Sequence, residues 1–434
     1  MKIGFVHLGC SKNLIDTETS IGLFKNNCFK VVTNVEEAEI IVVNTCGFIE
    51  SAKEEAINTI LEMAEYKQNG KCKYLVAMGC LVQRYYEDLK KALPEVDLFI
   101  KIDEYENYWN KIEEMLKIKN KTICSEFSVF NRVVSTGKTT AFLKIAEGCN
   151  NKCTYCAIPY IRGKYISRPF EEIIEEANRL AKKGYKEIIV IAQDTTKYGI
   201  DLYGESRLAE LLEELCKIKE FKWIRFLYAY PESITDKLIK VVKENDKICK
   251  YFDIPIQHID DIVLKRMNRK STGNKIKELI LKIKEEIPDV ILRTSLIVGF
   301  PGETEENFQN LKSFVESAQF DRIGVFKYSK EDGTPAAKLK EQIHHATKTK
   351  RYNQIMKIAQ KISMEKMQNK VGKEYDVLIE NKTFDNKYYI GRTYMDIPEE
   401  DGVVFIKTEK TLETGEWARV RITGHKEYDL IGEV

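Results

Sequence analysis

The chain runs to 434 residues, 43% hydrophobic and 31% charged, which excludes a disordered chain and suits about two to four domains. Lys plus Arg total 69 against 67 Asp plus Glu, a net charge of +2, so no global basicity marks a protein that coats a polyanion. Eleven cysteines are too few and too scattered for a disulfide-stapled secreted scaffold; they suit a reducing compartment, as metal ligands, nucleophiles or core filler.

Residues 1–10 (MKIGFVHLGC) are too short an apolar run for a signal peptide. No stretch approaches the roughly 18 apolar residues of a spanning helix, so the sequence predicts a cytoplasmic protein with no membrane contact. Apolar runs at 3–8, 40–43, 74–78 and 96–100 predict buried parallel strands, separated by helical patterns of which 51–66 is the clearest. This alternation predicts a doubly wound α/β domain over residues 1–120. Cys10, Cys46 and Cys80 each fall just beyond the C-terminal end of such a strand and before a helix. In an open parallel sheet those ends share one edge, where ligands bind. One cysteine there would be core filler; three at equivalent ends predict a shared metal site. Cys28 and Cys72 precede strands and stay outside it.

Residues 122–139 read as a linker. Strands follow at 142–146, 187–192, 223–228, 251–256, 290–298 and 322–328, with helices such as 169–183, 207–217 and 304–318 between them. About six β/α units fall short of an eight-unit barrel and predict a partial (β/α)6 barrel within residues 135–370. That span ends in a basic helix over 343–370. Alternating segments EYDVLIE, YYIGRTY, GVVFIKT and WARVRITG then predict a small closed β-barrel over 371–434.

The segment 147–169 (EGCNNKCTYCAIPYIRGKYISRP) places Cys149, Cys153 and Cys156 as CxxxCxxC directly after a predicted strand. Three thiolates this close can hold three irons of a [4Fe-4S] cube and leave the fourth with an open position. Zinc is the rival, but a structural zinc site wants four ligands, usually as two close pairs, and no second pair is present. Cys124, Cys216 and Cys249 have no partner spacing and read as packing.

The CxxxCxxC loop at the mouth of a partial barrel resembles the radical S-adenosylmethionine (SAM) superfamily. The resemblance implies that the open iron chelates SAM, that one electron cleaves it to a 5′-deoxyadenosyl radical, and that Tyr155 packs near the adenine. It also makes Ile297, Val298 and Gly299, in SLIVGFPGE (295–303), candidate SAM contacts. Gln193 and Arg293, read at or near strand ends lining the barrel mouth, join them as candidate cofactor-binding residues. His258 reads as a structural histidine, and no catalytic residue is assigned beyond the clusters.

Over nearly its whole length the chain is similar to the methylthiotransferase family of radical SAM enzymes. That similarity implies a second [4Fe-4S] cluster on Cys10, Cys46 and Cys80 that takes part in sulfur delivery, a methyl group from SAM, and an electron donor. GCSKNLIDTE (9–18), AQDTTKYGIDLYG (192–204) and FDIPIQHIDDIVLKRMNR (252–269) resemble the branch that modifies an aspartate of ribosomal protein S-twelve. The sequence departs from that branch mildly, with Ser11 where Pro is common and Thr196 where Ser is common. The other branch modifies adenosine in tRNA and is the alternative. The terminal barrel carries nine Lys/Arg against fourteen Asp/Glu, which suits a basic protein partner better than RNA. The basic helix 343–370 leaves a contact with the ribosome or RNA open. A non-catalytic iron–sulfur or zinc protein that binds RNA is the reading from a different class.

Overall fold

The computed structural model describes residues 1–118 and 122–434. The N-terminal domain boundary expected at residue 120 lies outside the described residues. The chain forms two compact units. The first comprises Met1–Ser135, Glu147–Ile166 and Ser329–Ala337; the second comprises Thr136–Ala146, Ser167–Tyr328 and Lys338–Val434.

The first unit is built on a five-stranded, all-parallel sheet. Its spatial order is Lys30–Val31, Lys2–His7, Ile40–Thr45, Tyr74–Gly79 and Leu98–Ile100. Alternate residues of the fully buried strand Ile40–Thr45 feed two different cores. Ile41 and Val43 pack with Ala56, Ile60 and Leu81, whereas Ile40 and Val42 pack with Leu23, Phe24 and Trp109. Helices therefore cover both faces, the doubly wound arrangement that an unbroken apolar strand requires. The edge strand Lys30–Val31 is only two residues long and carries no apolar run that sequence reading could detect.

The expected linker is fastened over part of its length. Buried Glu18 on the helix Ser11–Asn26 accepts hydrogen bonds from Arg132 (3.0 Å) and from the amide and hydroxyl of Ser135 (2.6 and 3.0 Å). A Cβ on Gly22 of the same helix would lie 1.9 Å from the Asn131 carbonyl oxygen, so the close approach of this segment depends on glycine.

The second unit contains the six expected barrel strands, arranged as two parallel three-stranded sheets. One has the order Trp223–Phe226, Glu187–Ile191, Thr140–Lys144; the other has the order Tyr251–Asp253, Ile291–Val298, Arg322–Lys327. A bridge between Ile224 and Ile248 continues the first sheet towards the second. The basic helix spans His345–Gln368 and buries Arg351, Ile355, Ala359, Ile362 and Met367 at helical spacing. The chain ends in a closed barrel of five strands rather than the four read from the sequence. The fifth, Leu430–Glu433, pairs parallel to Val404–Lys407 and antiparallel to Trp417–His425. Among the described residues no helix is long and apolar enough to cross a membrane.

Candidate metal centre

All six predicted cysteine ligands lie in the first unit. Cys10 is the N-cap of the helix that follows strand Lys2–His7, Cys46 directly follows Ile40–Thr45, and Cys80 opens the helix after Tyr74–Gly79. These three strands are neighbours in the sheet, so one edge collects the thiols. The turns demand glycine. Gly9 has φ +102°, and a Cβ there would lie 3.0 Å from the Cys46 Cβ; Gly79 has φ +100°, and a Cβ there would lie 2.2 Å from Asn44 Oδ1.

Asn13 ties the three turns together. Its Nδ2 donates to the carbonyls of Leu8 (3.3 Å) and Thr45 (3.0 Å), and its Oδ1 accepts from the Cys80 thiol (3.2 Å). Asn44 supports it from below, donating to Asn13 O (2.8 Å) and Thr17 Oγ1 (2.9 Å). Burial pushes the Cys80 thiol up to about 12, against the pull of Arg162, and the nearby charges of Cys10 and Cys46 push the same way. Cys46 is raised by burial and by Cys10. The three sulfurs thus sense one another electrostatically, a repulsion that a bound cationic iron–sulfur group would offset.

The second triplet begins after Gly148, whose φ of +77° and distance of 2.1 Å from a notional Cβ to Lys164 O exclude a side chain. The amide of Cys149 donates to Gly163 O (3.2 Å) and that of Cys156 to Cys153 O (3.1 Å), which folds the loop on itself. The Ile158 amide, at the start of the short helix Ile158–Ile161, donates to Cys156 Sγ (3.4 Å). Burial raises the Cys156 thiol, the charges of Cys153 and Cys149 add to that, and Arg84 opposes it. This donor set fits a cluster bound by three thiolates. Among the described residues no group of three or more His, Cys, Asp or Glu side chains is placed to hold a metal ion as it stands.

Two buried arginines connect this loop with the sheet edge. Arg162, six residues past Cys156, contacts Cys80 Sγ (3.4 Å), Asp16 Oδ2 (2.9 Å), Glu147 Oε2 (3.0 Å) and Asn13 Oδ1. Ala157 and Ile161 pack directly on Cys80. Arg84 donates to Gly47 O (2.9 Å) beside Cys46, and to the buried Glu331 carboxylate (2.8 Å). Glu331 belongs to the segment Ser329–Ala337, whose Ala336 amide reaches Thr154 O (2.9 Å) inside the CxxxCxxC loop. Sequence reading missed Asn13, Arg84 and Arg162. Asn13 and Arg162 lie within GCSKN and PYIRG, but nothing local distinguishes a buried arginine from a solvated one.

The second unit holds five of the six remaining candidates. Gln193 follows the C-terminal end of Glu187–Ile191, and Ile297 and Val298 end strand Ile291–Val298. Ile297 is half-buried, on one face with Ser295, whereas Val298 is fully buried on the other. Gly299 has φ +71°, and its amide and that of Phe300 donate to Glu303 Oε2 (2.8 and 3.2 Å). Arg351 pairs with Glu303 at 2.8 Å. Burial raises the Glu303 carboxyl to about 7, against Arg351 and the two amides. His258 is fully buried, accepts from the Asp260 amide (3.0 Å) and is pushed by burial down to about 3, so it is neutral. Tyr155, in the first unit, is half-buried between Cys153 and Cys156.

Arg293 requires a correction. It is the third residue of its strand, far from the C-terminal end, and it pairs with Asp253 (3.1 Å) and Glu400 of the terminal barrel. Within the predicted strand 290–298 it is already the fourth of nine residues, in the half away from the barrel mouth. Its guanidinium is committed to fastening the terminal barrel, and Arg293 leaves the set of SAM contacts.

Residues 143–315 match the model of the Radical SAM superfamily, residues 2–101 that of Uncharacterized protein family UPF0004, and residues 371–434 that of the TRAM domain. A protein of Alkaliphilus oremlandii named Ribosomal protein uS12 methylthiotransferase RimO is 63% identical over 436 residues, covering 100% of this chain and 99% of the relative. The chain belongs to the uS12 methylthiotransferase family. A member from Clostridioides difficile with the same name is 52% identical over 439 residues, again covering 100% of this chain and 99% of the relative. Among solved structures, the radical S-adenosylmethionine methyltransferase TsrM from Kitasatospora setae matches with a TM-score of 0.56 at 12% identity, covering 77% of this chain and 76% of that one. The cobalamin-dependent radical enzyme OxsB matches with a TM-score of 0.52 at 14% identity, covering 82% and 56%. At such identities the likeness is one of fold.

Proposed function

We propose that this chain is a radical SAM enzyme that adds a methylthio group to the β-carbon of an aspartate in uS12 (ribosomal protein S-twelve). The observation that carries the reading is full-length identity of 63% to a relative named for that activity, in a chain whose two cysteine triplets gather in one compact unit. The tRNA branch is not favoured, and the acidic terminal barrel agrees with a basic protein substrate.

We assign one [4Fe-4S] cluster to Cys149, Cys153 and Cys156 and a second to Cys10, Cys46 and Cys80. When bound, the first supplies an open iron and an electron for SAM cleavage, and the second takes part in sulfur delivery. The chain's own residues prepare these sites. Gly9, Gly79 and Gly148 let the backbone turn tightly beside the sulfurs, Asn13 fixes the sheet-edge turns, and the Ile158 amide stabilises the Cys156 thiolate. Tyr155, Gln193, Ile297, Val298 and Gly299 are the SAM contacts of this reading, Val298 and Gly299 through their backbone. A separate electron donor and contact with the ribosome or its RNA complete the partners. The reaction is assigned to the cytoplasm, supported by a ribosomal substrate and eleven free thiols.

The test incubates anaerobically reconstituted protein with SAM, sulfide, reductant and either uS12 or tRNA. A mass gain of one methylthio group in place of hydrogen, mapped to an aspartate of uS12, is expected. The same gain on a tRNA nucleoside alone overturns the assignment. About eight irons per chain are expected, falling to about four when Cys10, Cys46 and Cys80 are replaced by Ala.

A further inference from the structure

Arg162 is a buried cation of the first unit with several partners, and its side chain is 2% exposed. The helix Ile158–Ile161 carries it inward: Ile161 packs on Cys80, and the Arg162 amide closes the turn on Ile158 O at 2.7 Å. Gly163, at φ +75°, then turns the chain back, and its carbonyl receives the Cys149 amide. The backbone around Arg162 is thereby tied to the first cysteine of one triplet while its guanidinium reaches the last cysteine of the other.

We propose that Arg162 is a positioning residue for the N-terminal cluster, holding the Cys80 sulfur through a charge-assisted N–H···S contact and setting that cluster's reduction potential. The contact is Nη2 to Cys80 Sγ at 3.4 Å, and the same nitrogen also reaches Asn13 Oδ1, the other hydrogen-bonding partner of that sulfur. Cationic donors to a ligating thiolate favour the electron-rich, reduced cluster and so raise its potential. Asp16 and Glu147 share the second guanidinium nitrogen, at 2.9 and 3.0 Å, and temper that effect. Glu147 lies two residues before Cys149, so the start of the SAM-cluster loop and the far cluster's ligand meet on a single side chain. Lys would not reproduce this, because one ammonium cannot span the sulfur, the amide and two carboxylates in a fixed plane.

The inference rests on the two-cluster reading. The test uses the full-length chain with Cys149, Cys153 and Cys156 replaced by Ala, loaded anaerobically with iron and sulfide, so that only the N-terminal site is occupied. Iron is counted, and the cluster is titrated potentiometrically with electron paramagnetic resonance detection. Arg162→Gln is expected to lower the midpoint potential or to lose the cluster, with Arg162→Lys intermediate. Glu147→Gln acts at a partly exposed side chain, frees Arg162 of one carboxylate, and is expected to move the potential upward. Should Arg162→Gln fail to fold, the Glu147→Gln shift decides. A loaded cluster with unchanged potential in every variant that folds overturns this inference alone. A background that binds no iron removes the two-cluster reading and this inference with it.

Discussion

Glu187→Gln should loosen the terminal barrel from the six-stranded one. Glu187 opens a barrel strand at the end opposite the predicted SAM site, and its side chain is fully buried with those of Arg225 and Arg392. Its Oε1 accepts from Arg225 at 2.7 Å; its Oε2 accepts from Arg392 at 2.7 Å and Thr140 at 2.8 Å. Arg225 also donates to the carbonyls of Thr393 and Tyr394, so a single carboxylate organises a contact spanning both barrels. Burial alone would raise the Glu187 carboxyl, but Arg392 and then Arg225 outweigh it and hold the value at about 2, against an ordinary 4.5. At about 1.36 kcal/mol per unit, that depression contributes roughly 3 kcal/mol of stability. The figure agrees with the 3–5 kcal/mol typically lost when one partner of a buried ion pair is removed.

The assay is urea unfolding followed by tryptophan fluorescence. Trp223 and Trp417 meet edge-to-face at 4.3 Å across the same junction and report on it directly. Glu187→Gln should lose about 3–5 kcal/mol at neutral pH. Because the folded value lies below the unfolded one, the carboxylate's contribution is complete above about 4.5 and disappears as pH falls through about 2. The gap between parent and variant should therefore close over that acidic interval. A loss below about 0.5 kcal/mol, or a gap independent of pH, would refute the assignment of Glu187 as the anchor.

Three further outcomes are expected. Gly79→Ala places a Cβ against Asn44 Oδ1 and Thr45 O at a positive φ, and should remove about four irons from the reconstituted chain while the Cys149 site stays loaded, read by iron assay on matched cysteine backgrounds. Asn13→Asp keeps the acceptor for Cys80 but replaces Nδ2, the donor to Leu8 O and Thr45 O, with an acceptor oxygen, and should cost about 1–3 kcal/mol in thermal unfolding, with loss of the N-terminal cluster. Glu303→Ala strips the acceptor from the Gly299 and Phe300 amides and the partner from Arg351; SAM affinity should fall about tenfold or more at unchanged iron content, measured by equilibrium dialysis.

The layers of this fold were legible because buried parallel strands announce themselves. Runs such as IIVV (40–43) and IIVI (188–191) are buried on both faces, which in the N-terminal sheet means helices on both sides. What escaped were elements whose stability is borrowed. Lys30–Val31 exists because Lys2–His7 offers it an edge, and Leu430–Glu433 because two strands already flank it. The stretch 128–135 has linker composition, yet it is pinned by one buried carboxylate on a distant helix. No local period encodes any of these.

The site divides along the same line. Cys10, Cys46 and Cys80 could be brought together from sequence because strand ends of a parallel sheet share an edge whatever the side chains are. Arg293 was read towards the barrel mouth although the predicted strand 290–298 holds it in its N-terminal half, and the terminal barrel that claims it follows about a hundred residues later. Arg162 and Asn13 were invisible for a further reason. Their importance lies in buried polar groups satisfied across four separate segments, and such satisfaction is a property of the folded arrangement. A guanidinium that meets two carboxylates, an amide and a sulfur at once is worth its desolvation only if all four arrive together. The cysteines could be recognised singly by type and position; the groups that hold them in register could be recognised only as a set.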